Sequence, residues 1–216
     1  MIKKLQKNIF LKSEGNAWFR RNNKKKVQFS EKDPIIKAIL KCFHKDSNEK
    51  KTLLEIGCGK AKRLNWISQN LNFKCYGVEP SEKAVAKANL NNIKVVRGTA
   101  DLLDFDNKKF DFVVFGFCLY LCDRSDLFQI AKEADRVLKD NGYLIILDFY
   151  STEHIKKKYH HMSGVFSYKM DYRKLFDWHP SYSCFYHEVS AHAKDGFTND
   201  KNDWVATSIL KKKMCK

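Results

Sequence analysis

The stretch from Leu53 to Leu64, reading LLEIGCGKAKRL, constrains the fold more than any other part of the chain. Leu53, Leu54 and Ile56 form an apolar run interrupted only by Glu55, and Gly57 and Gly59 then turn the chain into a segment of helical composition. That order reads as a buried strand, a tight turn and a helix start. Glycines let backbone N–H groups approach a ligand closely, and an acid at a strand's end can accept hydrogen bonds from hydroxyl or ammonium groups. The stretch is a candidate cofactor cradle.

The flanking residues supply a sheet to hold it. Asp33 and Pro34 read as the cap and first position of a helix that carries Ile35, Ile36, Ile39 and Leu40 at amphipathic spacing. Beyond the turn, Leu64, Ile67 and Leu71 mark one helical face, and Lys74 to Val78 reads as a second strand ending at Glu79-Pro80-Ser81. Ser81 and Glu82 open a helix through Asn89, and Ile93 to Val96 is a third strand. Phe110 to Phe117, apolar apart from Asp111, has the character of a strand buried on both faces. Asp126 to Leu138 reads as a helix and Gly142 to Phe149 as a fifth strand. Ser183 to Val189 and Trp204 to Leu210 read as two more strands, joined by a turn over Asp195 to Asp203. The expected fold is α/β: a doubly wound, Rossmann-like, seven-stranded, mostly parallel sheet closed by a C-terminal antiparallel hairpin. Ser151 to Tyr182, rich in His, Tyr and Phe, has little strand character, and Lys211 to Lys213 reads as a solvated tail.

A chain of 216 residues with 44% hydrophobic and 13% aromatic content can bury one α/β core, so residues 1–216 are expected to form a single domain. No apolar run is long enough to span a bilayer, and the basic start Met1 to Lys7 precedes no signal-peptide core, which predicts a cytoplasmic protein without membrane association. Cys42, Cys58, Cys75, Cys118, Cys122, Cys184 and Cys215 lack paired CxxC spacing and read as reduced thiols, with no metal expected. The formal charge is +16, and residues 1–51 hold 15 Lys or Arg against 5 Asp or Glu. Nearly all of that charge is lysine without the aromatic-basic pattern of a nucleic-acid module, so a solvated surface or an anionic small substrate accounts for it better than RNA does.

The chemistry lies in positions that follow successive strands. Gly57-x-Gly59-x-Ala61 is shorter than a dinucleotide GxGxxG fingerprint. About twenty residues on, Glu79 can accept hydrogen bonds from both ribose hydroxyls, and in Gly98-Thr99-Ala100-Asp101 an acid can receive an exocyclic adenine amine. With LEIGCG, GVEPS, GTADLLDF and FDFVVFGFCLYLCDRSDL in this order, the chain from about Thr52 to Phe149 resembles the class I S-adenosylmethionine-dependent methyltransferases that act on small molecules. The resemblance implies that Glu55, Gly57, Cys58 and Gly59 hold the methionine part of the cofactor. It implies Glu79 and Pro80 at the ribose, Ala100, Asp101 and Leu102 at the adenine, and Phe115 to Phe117 on the methyl-transfer side, where core packing is the equal alternative. Ala61 stands where a third glycine is often found and is expected in right-handed helical geometry.

Residues 1–50 are then an N-terminal helical lid region in which Trp18 packs on the cofactor and Arg21 or Arg20 pairs with its carboxylate, an amphipathic surface helix being the equal alternative. Residues 151–182 form an acceptor-side insertion. Methyl transfer from a sulfonium needs a base only if the nucleophile must lose a proton. Candidates are Asp148, His154, His160, His161, His179 and His187, with the Tyr159-His160-His161 group foremost and Tyr120 orienting the acceptor. Tyr168, Lys169 and Arg173 could bind an anion or simply form a surface. The reading is S-adenosylmethionine-dependent O-methylation, or less favourably N-methylation, of a small polar acceptor, a sugar or an anionic phosphorylated sugar in surface-polysaccharide or related biosynthesis. An RNA methyltransferase using the basic N-terminal region is the alternative; against it, Gly116-Phe117-Cys118-Leu119 stands where an Asn-Pro-Pro-Tyr-like motif would be. A non-catalytic cofactor-binding module is the second.

Overall fold

The computed structural model describes residues 5–23, 28–43, 49–88, 93–193 and 196–214. Nine strands follow in chain order among them. β1 is Thr52–Ile56, β2 Lys74–Glu79, β3 Ile93–Arg97, β4 Phe110–Gly116 and β5 Leu138–Phe149. β6 is Ile155–Lys158, β7 Phe166–Lys169, β8 Tyr182–Ala191 and β9 Trp204–Lys212. Seven of them form one sheet in the order β3-β2-β1-β4-β5-β9-β8, and β6 pairs with β7 separately. β1 to β5 run parallel, while β9 is antiparallel to β5 and β8 antiparallel to β9. Strand order reverses between β1 and β4, so the loops at their carboxyl ends diverge and leave a crevice.

Helices cover both faces because side chains alternate across each buried strand. α1 (Gln6–Ile9) and α2 (Gly15–Asn22) are joined by a π-helical turn, Phe10–Glu14. α3 (Pro34–Cys42) begins where the Asp33 carboxylate accepts from the N–H groups of Ile35 and Ile36, a cap with Pro34 at the first position. α4 is Lys62–Leu71, α5 Glu82–Lys87 and α6 Leu127–Val137. Ile35, Ile36 and Ile39 of α3, with Leu64 and Ile67 of α4, pack on Leu53, Val114, Ile145 and Leu147. Leu54, Ile56, Val113 and Ile146 point the other way, toward Ile130, Ala134 and Val137 of α6.

Three expectations change. β5 begins at Leu138, directly after α6, since Leu138 pairs with Phe110 across an irregularity and Asn141 takes a left-handed conformation ahead of Gly142. The segment after β5 contains the β6–β7 hairpin; Lys156, Lys157 and Lys158 are exposed, so the strand carries no apolar alternation to read. Lys212 is no tail residue: it is buried in β9, with Nζ donating to the carbonyls of Asp135 and Leu138. The Lys24 to Lys26 run, the end of the α5 helix at Asn89, the start of the final turn at Asp195, and Cys215 lie outside the described residues. Among the described residues no helix is long and apolar enough to cross a membrane.

Candidate active site

The crevice holds a cavity of about 110 Å³. Its floor comes from the carboxyl ends of β1, β2 and β3, through Ile56 and Gly57, Val78 to Pro80, and Gly98 to Asp101. Phe117, Cys118, Leu121 and Cys122 form the wall after β4, and Lys7, Phe10, Gly15 and Trp18 the roof. Small-molecule sites usually span roughly 300–1,000 Å³. The roof must therefore lift or reshape to admit a nucleoside-sized ligand.

The glycine turn is built by close approaches. Gly57 has φ 79° and donates its N–H to Val78, and a Cβ on it would lie 2.7 Å from the Cys118 Cβ. Gly59 has φ 55° with open space where a Cβ would be. Ala61 is left-handed too, at φ 57°, and not right-handed as expected: it is the residue before α4, and its fully buried methyl packs in the core. The Cys58 side chain turns under the sheet against Gly77 and Leu64, so only its backbone belongs to the turn. Glu55 is 2% exposed and does not line the cavity. Its Oε1 accepts from Arg63, which also pairs with Asp33 at 3.1 Å. Burial pushes the Glu55 carboxyl up, and the Arg63 guanidinium opposes that. Oε2 is a buried acceptor that has no hydrogen-bond partner among the described residues.

Glu79 faces the cavity. Oε2 accepts from the Gly59 N–H and Oε1 from the Ser81 N–H, both at 2.9 Å, which aligns the carboxylate and leaves a lone pair on each oxygen for a hydroxyl. Burial raises its pKa, while the Ser81 and Gly59 amides lower it. Asp101, on the adjoining loop, is held by Lys7, whose Nζ lies 2.5 Å from Asp101 and 2.9 Å from Asp126. Burial alone would raise the Asp101 carboxyl, but hydrogen bonds from Lys7 and Thr99 outweigh it and keep it below the usual range.

The roof is tied down at both ends. Gln6 is buried and donates to the carbonyls of Leu121 and Phe166 while accepting from the Phe166 N–H, which joins the N-terminal segment to β7. At the other end Gly15 lies so close to Pro80 and Ser81 that a Cβ would meet the Ser81 nitrogen at 3.2 Å and the Phe10 carbonyl oxygen at 2.7 Å. Asn16 beside it accepts from the Ser81 hydroxyl and the Lys83 N–H. The π turn offsets the helix so that Phe10 and Trp18 both face the cavity. Arg21 points elsewhere, to buried Glu14 and the Tyr159 hydroxyl.

On the far side, Asp148 ends β5 and is 2% exposed. It accepts from the N–H groups of Leu119, Tyr120 and Phe149, and so anchors the 3-10 turn Leu119–Leu121. Burial lifts its pKa to about 7 against the pull of those amides. A carboxyl raised on folding binds protons that the unfolded chain releases near pH 4, so its contribution to stability is present at low pH and lost as pH rises through 7. The wild type is expected to lose roughly 2 kcal/mol of unfolding free energy between pH 5 and pH 7 through this group. Denaturant melts at several pH values check it: Asp148→Asn should flatten that slope, and an unchanged slope would place the titration elsewhere.

Residues 54–146 match the family described as a methyltransferase domain. A fatty-acid O-methyltransferase of Mycolicibacterium smegmatis is 26% identical over 131 residues, covering 56% of this chain and 47% of that protein. A demethylmenaquinone methyltransferase of Listeria monocytogenes is 33% identical over 105 residues, 44% of each chain. The chain spans about half the length of the curated relatives it matches. Among solved structures, a SAM-dependent methyltransferase of Methanosarcina mazei superposes with a TM-score of 0.63 at 18% identity, covering 82% of this chain and 98% of that one. The Burkholderia thailandensis 1,6-didemethyltoxoflavin-N1-methyltransferase, solved with bound 1,6-didemethyltoxoflavin and S-adenosylhomocysteine, gives 0.69 at 12% identity, covering 96% and 87%. Residues 54–146 therefore carry a methyltransferase domain, within a fold shared with solved S-adenosylmethionine-dependent methyltransferases.

The cavity gathers Trp18, Gly57, Glu79, Pro80, Ala100, Asp101 and Phe117 from the residues singled out in the sequence. It leaves out several others. Leu102 points to solvent at 74% exposure, and Phe115 is fully buried in the core between β4 and α6. Arg21 is occupied by Glu14, and Tyr120 and Asp148 stand behind the wall. His160 and His161 are exposed on the turn between β6 and β7, their rings 4.0 Å apart, and do not reach the cavity. Lys7, Phe10, Gly15, Cys118 and Leu121 line it without having been proposed.

Gly15→Val is expected to weaken S-adenosylhomocysteine binding roughly tenfold, since overpacking by a β-branched side chain costs about 1–3 kcal/mol and would lift the roof from Pro80. Calorimetric titration measures it. Unchanged affinity would show that the roof takes no part in holding the cofactor.

Proposed function

We propose that the protein transfers the methyl group of S-adenosylmethionine to an oxygen, or to a nitrogen, of a small acceptor with an apolar or aromatic body. The observation that carries this reading is the pairing of an oriented, hydroxyl-accepting Glu79 on the cavity floor with an apolar wall and roof of Phe10, Trp18, Phe117 and Leu121. The residues fit the cofactor. Glu79 has a free lone pair on each oxygen for the ribose. Asp101 can take the adenine amine once Lys7 yields it. When bound, the cofactor supplies an electrophilic methyl group on a sulfonium.

The chain's own residues then align and desolvate. Phe117 and Trp18 exclude water from the transfer path, which supports an acceptor positioned by packing. A phosphorylated sugar, an acceptor with which the basic composition is compatible, would meet only Lys7 as a cation in the cavity lining, and Lys7 is already bound by two carboxylates. The names of the fatty-acid and demethylmenaquinone relatives agree with an apolar acceptor. The test is to supply methyl-labelled S-adenosylmethionine and a fractionated metabolite extract. Label is expected in organic-soluble small molecules; label confined to RNA or to sugar phosphates would contradict the proposal.

A further inference from the structure

At the carboxyl ends of β4 and β5, four rings gather beside the cofactor cavity. The Phe149 centroid lies 5.4 Å from Phe117, 4.9 Å from Tyr120 and 5.1 Å from His192. His192 meets Phe117 edge-on at 5.4 Å and 80°. The group is continuous with the cavity on two sides. Phe117 lines the cavity, and Tyr120 feels the side chain of Trp18, which lines it as well. On the outer side the His192 ring is exposed, so the group opens to solvent.

Two further features mark the place as more than core. Phe117 has φ 54°, a left-handed conformation that is strained for a bulky side chain and persists only where its surroundings impose it, typically at functional sites. The second feature is Lys169, at the end of β7, whose Nζ sits 5.2 Å from the Phe149 centroid. It donates to the Asn202 carbonyl, and among the described residues no carboxylate forms an ion pair with it. An ammonium has three donors, so this cation keeps donors to spare. Burial and then Lys157 lower its pKa, with Asp200 and Asp203 opposing.

We propose that this aromatic group is the acceptor subsite and that the acceptor is a planar aromatic compound bearing an anionic group, its ring against Phe149 and Phe117 and its anion on Lys169. The inference rests on the methyl-transfer reading above and narrows its acceptor. Aromatic faces reward a planar partner over a sugar, and a half-buried ammonium rewards a carboxylate over a neutral group.

Binding of 4-hydroxybenzoate, 4-hydroxybenzamide and glucose 1-phosphate to the full chain saturated with S-adenosylhomocysteine tests this, with Lys169→Met beside the wild type. The expected result is that the carboxylate binds at least tenfold more tightly than the amide, and that the sugar phosphate binds more weakly than either. Lys169→Met should erase the preference for the carboxylate while leaving S-adenosylhomocysteine affinity unchanged. Equal binding of carboxylate and amide, a preference that survives Lys169→Met, or tighter binding of glucose 1-phosphate would overturn the subsite. Failure of S-adenosylhomocysteine itself to bind would remove the methyl-transfer reading, and the subsite with it.

Discussion

Glu79→Gln is expected to raise the Kd for S-adenosylhomocysteine roughly hundredfold while the protein stays folded. Each hydrogen bond to a charged acceptor contributes about 1.5–3 kcal/mol, and two ribose hydroxyls stand to lose theirs, which corresponds to about two decades of affinity. The amide also turns one acceptor into a donor. One of the two backbone N–H groups that now orient the carboxylate, from Gly59 or Ser81, would then face a donor, and the glycine turn would loosen at the point where it meets the ligand. Calorimetric titration of variant and wild type gives the comparison, with thermal melts to show that the fold is retained. A loss of less than about threefold would mean that the ribose is held elsewhere.

Arg63→Met should have the largest effect on stability. Arg63 reaches both Glu55 and Asp33, and Asp33 also caps α3. Removing the cation leaves Glu55 charged at 2% exposure or forces it to take up a proton. Breaking a buried pair from one side costs about 3–5 kcal/mol, or a fall of about 10 °C in Tm for a chain of this size. The sign of the pH dependence follows from burial, which already pushes the Glu55 carboxyl up. Without Arg63 it rises further, so the variant's deficit should be smaller at pH 5, where Glu55 is more readily protonated, and larger at pH 8. Adding Glu55→Gln should recover part of the loss. A deficit under 1 kcal/mol at every pH would show that the ion pair contributes little.

The parts of the site that could be read from the sequence are those encoded locally. The glycine turn, Glu79 and Asp101 each sit at the end of an apolar run, where strand periodicity and turn residues coincide, and the cavity brings Gly57, Glu79 and Asp101 together. Conformation hidden from composition was not readable. Phe115 and Phe117 share a face by strand alternation, but β4 ends at Gly116 and the left-handed φ of Phe117 turns its ring toward the cavity, while Phe115 stays in the core. Ala61 likewise adopts a backbone conformation that its residue type does not announce. Contacts between distant segments were equally invisible: Lys7 reaches Asp101 across 94 positions, and Gln6 reaches Phe166 across 160. His160 and His161 suggested catalysis by composition, yet the hairpin that carries them points them to solvent.

The most direct test of the account is calorimetric titration of the full chain with S-adenosylhomocysteine. One molecule should bind per chain, with Trp18→Ala and Glu79→Gln each weakening it, because roof and floor close on the same ligand. Absence of binding at millimolar concentration, in protein that melts cooperatively, would contradict the assignment of the glycine turn and Glu79 as a cofactor site.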